Sequence, residues 1–191
     1  MADRPLSFVT MLGSLRKGSL NRVVANALPG LAPQDVTITA LPSVGDLPHY
    51  DADLQAGGFP PLVRQMGDAI KQADGVIIVT PEYNYSVPGV LKNAIDWISR
   101  LPDTPFAGKP VDIMSASASI LGGARAHYHL RQSMVFLDAL VLNKPEIIIT
   151  FAAQKLDVES GKISDDATRE IVTKNLEAFA AFARRHGSAA N

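Results

Sequence analysis

No cysteine occurs anywhere in the 191 residues. That absence removes disulfide scaffolds, thiolate nucleophiles, Cys-x-x-Cys redox pairs, iron–sulfur clusters and cysteine-ligated zinc together. Any redox chemistry must then be carried by a bound organic cofactor. Charge of one sign is missing too: 18 Lys and Arg stand against 19 Asp and Glu, net -1, with the basic residues scattered. Phosphate-backbone binding needs a basic stripe, so nucleic acid is not expected as a partner. The near-neutral balance also speaks against a strongly acidic electron carrier. Long apolar runs are absent. The stretch Leu6–Leu12 stops at Gly13, too short to span a bilayer and without a small-residue cleavage site. No membrane association is expected, and the cytoplasm is the default location.

What is there is ordinary for a globular chain: 47% hydrophobic and 19% charged residues, with no repeat, low-complexity tract or dividing linker. The expectation is one domain over residues 1–191, long enough to bury a substantial core.

Apolar runs and helical stretches alternate along it. Strands are expected at residues 6–12, 36–40, 75–80, 111–116 and 146–150. Helices are expected at 21–31, 60–73, 90–101, 124–137 and 165–186, with 41–59 as loop. The run GVIIVT at 75–80 is apolar throughout, as a strand covered on both faces requires. Pro88 suits a first helical turn. Asp165 or Asp166 suits an N-cap, and Arg184, Arg185 and His186 complement the far end of the last helix. This alternation predicts an α/β fold: a doubly wound, five-stranded parallel sheet of flavodoxin-like order 2-1-3-4-5, helices on both faces. Ligands then bind beyond the C-terminal strand ends, near the switch between strands one and three.

The loop after strand one, Gly13 to Asn21, combines two glycines with Ser14, Arg16, Ser19 and Asn21 just before a helix. That composition suits an anion: inward N–H groups, a helix N-terminus and a guanidinium fork. GxGxxG is absent. A Walker A lysine is also missing, because Ser19 follows Gly18. A terminal monophosphate fits better than a di- or triphosphate; a merely polar helix-capping loop has the same composition.

After strand three comes Pro81-Glu82-Tyr83-Asn84-Tyr85-Ser86-Val87-Pro88-Gly89, stiffened by proline at both ends. It offers hydrogen-bonding groups beside an aromatic wall, as a flat heteroaromatic ring requires. A turn packed on its own helix reads equally well. After strand four, the small residues Ser115 to Ser119 and Gly122-Gly123 lead into a helix, a weak signal alone.

Together these loops resemble the NADPH-dependent FMN reductase family, including its chromate and quinone reductase members. Its GS-x-R-x-x-S-x-N pattern stands here as Ser14, Arg16, Ser19 and Asn21, and PEYN-x-S-x-PG as Pro81 to Gly89. Gly122-Gly123-Ala124-Arg125-Ala126 with His129-Leu130-Arg131 is similar to a GGARA…LR segment of the chromate reductase branch. The resemblance covers roughly residues 6–182. It implies non-covalent FMN, with Ser14, Arg16, Ser19, Leu20 (through its N–H) and Asn21 on the phosphate. Pro81, Glu82, Tyr83 and Asn84 would line the isoalloxazine, with Ser117 on its other flank. Relatives commonly carry Pro-Gly where this chain has Ala118-Ser119.

The resemblance further implies NADPH or NADH as co-substrate and a small acceptor such as a quinone. Both would use one site in turn, hence ping-pong kinetics and no catalytic side chain. The alternatives are an FMN reductase that hands free reduced flavin to a monooxygenase, and a flavodoxin-like electron carrier.

His127 and His129 diverge by about 200° on a helix, so no metal site is expected. Trp97 suits the core or a subunit interface. Arg100 is either a solvated cation or, with Tyr85, a contact for an anionic acceptor or nicotinamide phosphate. Family members are usually homodimers, often paired into homotetramers. Arg125 and Tyr128 share a helix face, and Glu146 opens the edge strand beside Lys144 and Pro145. These three either join two dimers in a polar network or make ordinary salt bridges within one chain.

Overall fold

The structure, a computed structural model, describes residues 4–187. Strands β1 (Leu6–Leu12), β2 (Val36–Ala40), β3 (Gly75–Val79), β4 (Pro110–Ala116), β5 (Leu140–Val141) and β6 (Ile147–Ile149) form one parallel sheet. Its order is β2-β1-β3-β4-β5, with β6 also on β4. Helices α1 (Leu20–Leu31), α2 (Ala52–Ala56), α3 (Pro61–Gln72), α4 (Gly89–Ile98), α5 (Ala124–Phe136) and α6 (Asp166–His186) connect and cover it. The parallel pairing follows from the alternation, because parallel neighbours need crossover connections; the order is the flavodoxin-like one that was expected.

Side chains of the central strands alternate between two cores. On one face Phe8, Ile77, Val79 and Met114 pack with α1 and α6 through Val24, Leu28, Leu176 and Phe179. On the other, Met11, Val76, Ile78 and Ile113 pack with α3, α4 and α5 through Met66, Ile70, Trp97 and Leu130. Trp97 is a core residue, its indole N–H donating to the Pro48 carbonyl at 2.9 Å.

The strand expected at 146–150 stands as β6, paired with Met114 to Ala116. A further two-residue strand, β5, was not expected; it pairs with Pro110 and Val111, and residues 142–146 loop out between the two. Pro145 has no N–H to give the ladder. The insertion leaves the Ile113 N–H without a strand partner, and the Asp112 carboxylate takes it at 2.9 Å. A small hairpin, β7 (Leu156–Asp157) with β8 (Lys162–Ile163), follows β6 and packs on α1. Two-residue strands carry too little alternation to be read from sequence. The loop 41–59 likewise contains α2 and a 3-10 turn at Val44–Asp46. Among the described residues no helix is long and apolar enough to cross a membrane.

Candidate functional site

Three loops meet beyond the C-terminal ends of β1, β3 and β4. The first starts at Gly13, where a Cβ would lie 2.7 Å from Thr80 Oγ1 and 2.9 Å from Leu91 Cδ2. Only glycine lets β1 end against β3 and α4. Ser19 caps α1, its hydroxyl accepting from the Arg22 N–H at 3.3 Å. Arg16 curls back to donate from Nη2 to the Gly18 carbonyl at 2.8 Å and remains exposed. Among the described residues, no backbone N–H from Ser14 through Asn21 meets an acceptor. Such a run of unpaired donors at a helix N-terminus is a concave anion receptor.

Asn21 departs from expectation. Its side-chain amide donates to the Ala116 carbonyl at 2.8 Å and accepts the Ala116 N–H at 2.9 Å. It pins α1 to the end of β4, which leaves only its main-chain N–H for an anion. Ser14 is buried, at 4% exposure, and its hydroxyl has no partner among the described residues.

In the second loop, Tyr83 and Ser86 exchange backbone hydrogen bonds of 3.0 Å. Between them Asn84 (φ 47) and Tyr85 (φ 71) are both left-handed. Asparagine adopts that region readily, tyrosine does not. The strained turn is held from α5 by three contacts. Glu82 accepts the Arg125 N–H at 3.0 Å and the Arg125 Nε–H at 2.5 Å, and also pairs with Arg125 Nη2. The Arg125 guanidinium lies 3.4 Å from the Tyr85 ring centroid. The Ser86 hydroxyl meets His129 Nδ1 at 2.8 Å. The Glu82 carboxylate is therefore spent on α5. The N–H groups of Glu82, Asn84 and Tyr85 meet no acceptor among the described residues. Tyr83 and Tyr85 are 49% and 68% exposed.

In the third loop, the Ser117 hydroxyl accepts the Ser119 N–H at 3.2 Å and lies 3.1 Å from the Ser119 hydroxyl. Gly123 precedes α5 at φ 104, where a Cβ would meet Ser115 at 2.7 Å. Beneath it, His127 Nε2 hydrogen-bonds the Ser115 hydroxyl at 2.9 Å, both residues fully buried. Burial, aided by nearby Arg131, pushes the imidazole pKa down to about 4, so it is neutral and structural.

The remaining predicted residues are elsewhere. Arg100 lies past the far end of α4, roughly 15 Å along the helix from Gly89, and stacks over Tyr50 at 5.3 Å from the ring centroid. Arg125, on α5, pairs with Glu82 of the second loop in the same chain. Glu146 faces Arg131 of the same chain at 3.5 Å. Tyr128 is exposed on α5 at 61%. The Glu82–Arg125 and Ser115–His127 pairs have no sequence signal: 43 and 12 residues separate their partners.

Over residues 6–154 the chain matches the profile of the NADPH-dependent FMN reductase family. It is 56% identical over 181 residues to a quinone reductase of Escherichia coli, covering 94% of this chain and 96% of that one. An NAD(P)H-dependent FMN reductase of Pseudomonas aeruginosa shares 47% over 173 residues, 91% of this chain and 92% of its own. Among solved structures, the flavoenzyme FerB, an NAD(P)H:(acceptor) oxidoreductase from Paracoccus denitrificans, superposes with a TM-score of 0.86 at 34% identity. That match covers 95% of this chain and 98% of FerB.

Proposed function

This chain belongs to the NADPH-dependent FMN reductase family, and from that premise we propose that it uses NAD(P)H and bound FMN to reduce quinones. The observation that carries the reading is the run of unpaired N–H groups from Ser14 to Asn21, with a second set at Glu82, Asn84 and Tyr85 on the loop after the neighbouring strand β3. The donor chemistry fits FMN: a monophosphate-sized anion receptor, and beside it a rigid edge of N–H groups for the polar rim of a flat ring.

Bound there, FMN supplies two-electron hydride chemistry between nicotinamide and acceptor. The chain's own residues bind and orient. The N–H groups of residues 14–21, with the Ser19 hydroxyl and the Arg16 fork, hold the phosphate. Pro81, Glu82, Tyr83 and Asn84 present their backbone to the ring, and Ser117 closes the opposite flank. Because Arg125 pairs with Glu82, that carboxylate is not free at the ring edge. Tyr83 and Tyr85 give an exposed aromatic surface at the mouth, which suits a flat quinone. Chromate, a compact dianion, gains nothing from it and ranks as a second acceptor. Assembly into dimers or tetramers belongs to the same reading, supported by Tyr128, Val135 and Phe136 exposed on or at the end of α5.

The purified protein should be yellow and release FMN on heating. Its flavin absorbance should bleach with NADPH or NADH and recover with benzoquinone. Colourless protein that fails to bind added FMN overturns the proposal. The name of the P. aeruginosa relative favours a second reading, in which free FMN is itself the acceptor. Saturation of the rate by added FMN, in place of retention through turnover, selects it.

A further inference from the structure

The Asn21 side chain holds the main chain of Ala116 as a neighbouring strand would. Nδ2 donates to the Ala116 carbonyl at 2.8 Å and Oδ1 accepts the Ala116 N–H at 2.9 Å, each residue 3% exposed. The need arises where β3 ends. Val79 is the last residue of β3 opposite β4, and the Thr80 N–H still donates to the Met114 carbonyl at 2.9 Å. Alternate residues of a strand present their N–H and C=O to the same edge. Ala116 therefore faces the place where β3 would continue. Pro81, which comes next, has no N–H to give, and the chain leaves there into the second loop. Asn21 reaches over from the first turn of α1 and supplies the donor and the acceptor that β3 does not. The other edge of the third loop is held separately. The Ser117 N–H donates to the Ile149 carbonyl at 3.1 Å, and the Ser117 carbonyl accepts the Ala152 N–H at 2.9 Å.

One residue thus joins two loops. The Asn21 main-chain N–H is the last of the run from Ser14 that meets no acceptor among the described residues, and its side chain fixes the residue before Ser117. We propose that Asn21 is a positioning residue for the flavin chemistry: its carboxamide sets the place of Ser117 relative to the N-terminus of α1. A ligand anchored at its phosphate end is then held in one place at its ring end. The inference rests on the FMN reading of these loops. The side chain acts through Ala116 and is spent before it could touch the ligand. The chemistry explains the residue type, because asparagine carries a donor and an acceptor on one short planar group, whereas an ionised aspartate offers acceptors alone.

The test compares the parent with Asn21→Ala and Asn21→Asp, each saturated with FMN. Asn21→Asp keeps the shape, the acceptor and a side chain favoured in a first helical turn, and loses only the donor. It therefore decides the matter if Asn21→Ala does not fold. The readouts are the absorbance spectrum of the bound flavin and the rate of its reduction by NADH after rapid mixing. Amide hydrogen exchange at Ala116 is followed in the FMN-free protein. The flavin absorbance maximum should move in both variants. Since a misplacement of about 1 Å can cost about a hundredfold in rate, reduction should slow about tenfold or more. The Ala116 N–H should exchange about tenfold faster in Asn21→Ala, where its acceptor is gone. Parent-like spectrum and reduction rate at saturating FMN in both variants overturn the proposal. A fall in FMN affinity alone would make the side chain a phosphate ligand, and a fall in urea stability alone a strut. A change in Asn21→Ala with Asn21→Asp parent-like also overturns it, because the effect would follow lost volume and not lost pairing. Unaltered exchange at Ala116 in Asn21→Ala does the same. Flavin content of the parent, read first, keeps the cases apart: a parent that takes no FMN defeats the functional reading and this inference with it, while a loaded parent with parent-like variants defeats this inference alone.

Discussion

The Glu82 carboxylate stands against the first turn of α5, 3.0 Å from the Arg125 N–H and 2.5 Å from Arg125 Nε. The helix has glycine at its N-cap and no side-chain cap of its own, so a residue from a different loop does the capping. Because the same arginine stacks on Tyr85, the contact also clamps the left-handed turn. Glu82→Ala removes a cap and one half of a mostly buried pair, the Glu82 side chain being 8% exposed. The expected cost is about 1–3 kcal/mol by urea unfolding, with weaker FMN binding because the turn loosens. Unchanged stability contradicts the clamp.

Arg16→Ala should weaken FMN about ten- to a hundredfold, the value of a charge-assisted bond, and leave riboflavin affinity alone. The fold should survive, since Arg16 is exposed and bonds only to Gly18 of its own loop. Equal losses for FMN and riboflavin would move the phosphate elsewhere.

Ser119 engages the Ser117 hydroxyl through its N–H and its Oγ. Ser119→Gly frees that hydroxyl from one of the two. FMN affinity or the flavin absorbance maximum is expected to shift, read directly by titration. Parent-like values in both would show that Ser117 does not flank the ring.

Asp112 is 1% exposed, and burial pushes its pKa from 3.8 up to about 7, opposed by the nearby Asn175 amide, the Ile113 N–H that it accepts and the charge of Arg131. Between those values the folded chain holds a proton that the unfolded chain has released. Stability from this group is complete below pH 3.8 and is lost as pH rises to about 7, a span of roughly 4 kcal/mol. His127 runs the other way: its folded pKa is about 4 against 6.5. Its contribution is present above 6.5 and lost as pH falls to about 4. The two oppose each other between pH 4 and 6.5. Asp112→Asn supplies the neutral form permanently, and its Nδ2 can donate toward Asn175 Oδ1, which has no partner. The variant should gain on the parent from pH 5 to 8 in urea unfolding. A constant difference across that range refutes the assignment.

How far the sequence reached can be judged from particular residues. The apolar run at β3 could only be a strand covered on both faces, and proline and glycine marked the helix starts. Short elements escaped: the β7–β8 hairpin and the two-residue β5 are each too brief to show a period. At the site, the loops after β1, β3 and β4 were legible because their glycines, prolines and serines are local requirements of turns.

By itself the sequence determined the doubly wound sheet and which loops crowd its C-terminal edge, since hydrophobic periodicity and turn chemistry act between near neighbours. Only the tertiary structure decided what the polar side chains do there. Asn21 and Glu82 each carried a motif position, yet one is spent on Ala116 and the other on Arg125. A buried amide or carboxylate bonds with whatever donor or acceptor the packed chain brings within about 3 Å. Those partners lie 95 and 43 residues away in sequence, and only the folded chain brings them together.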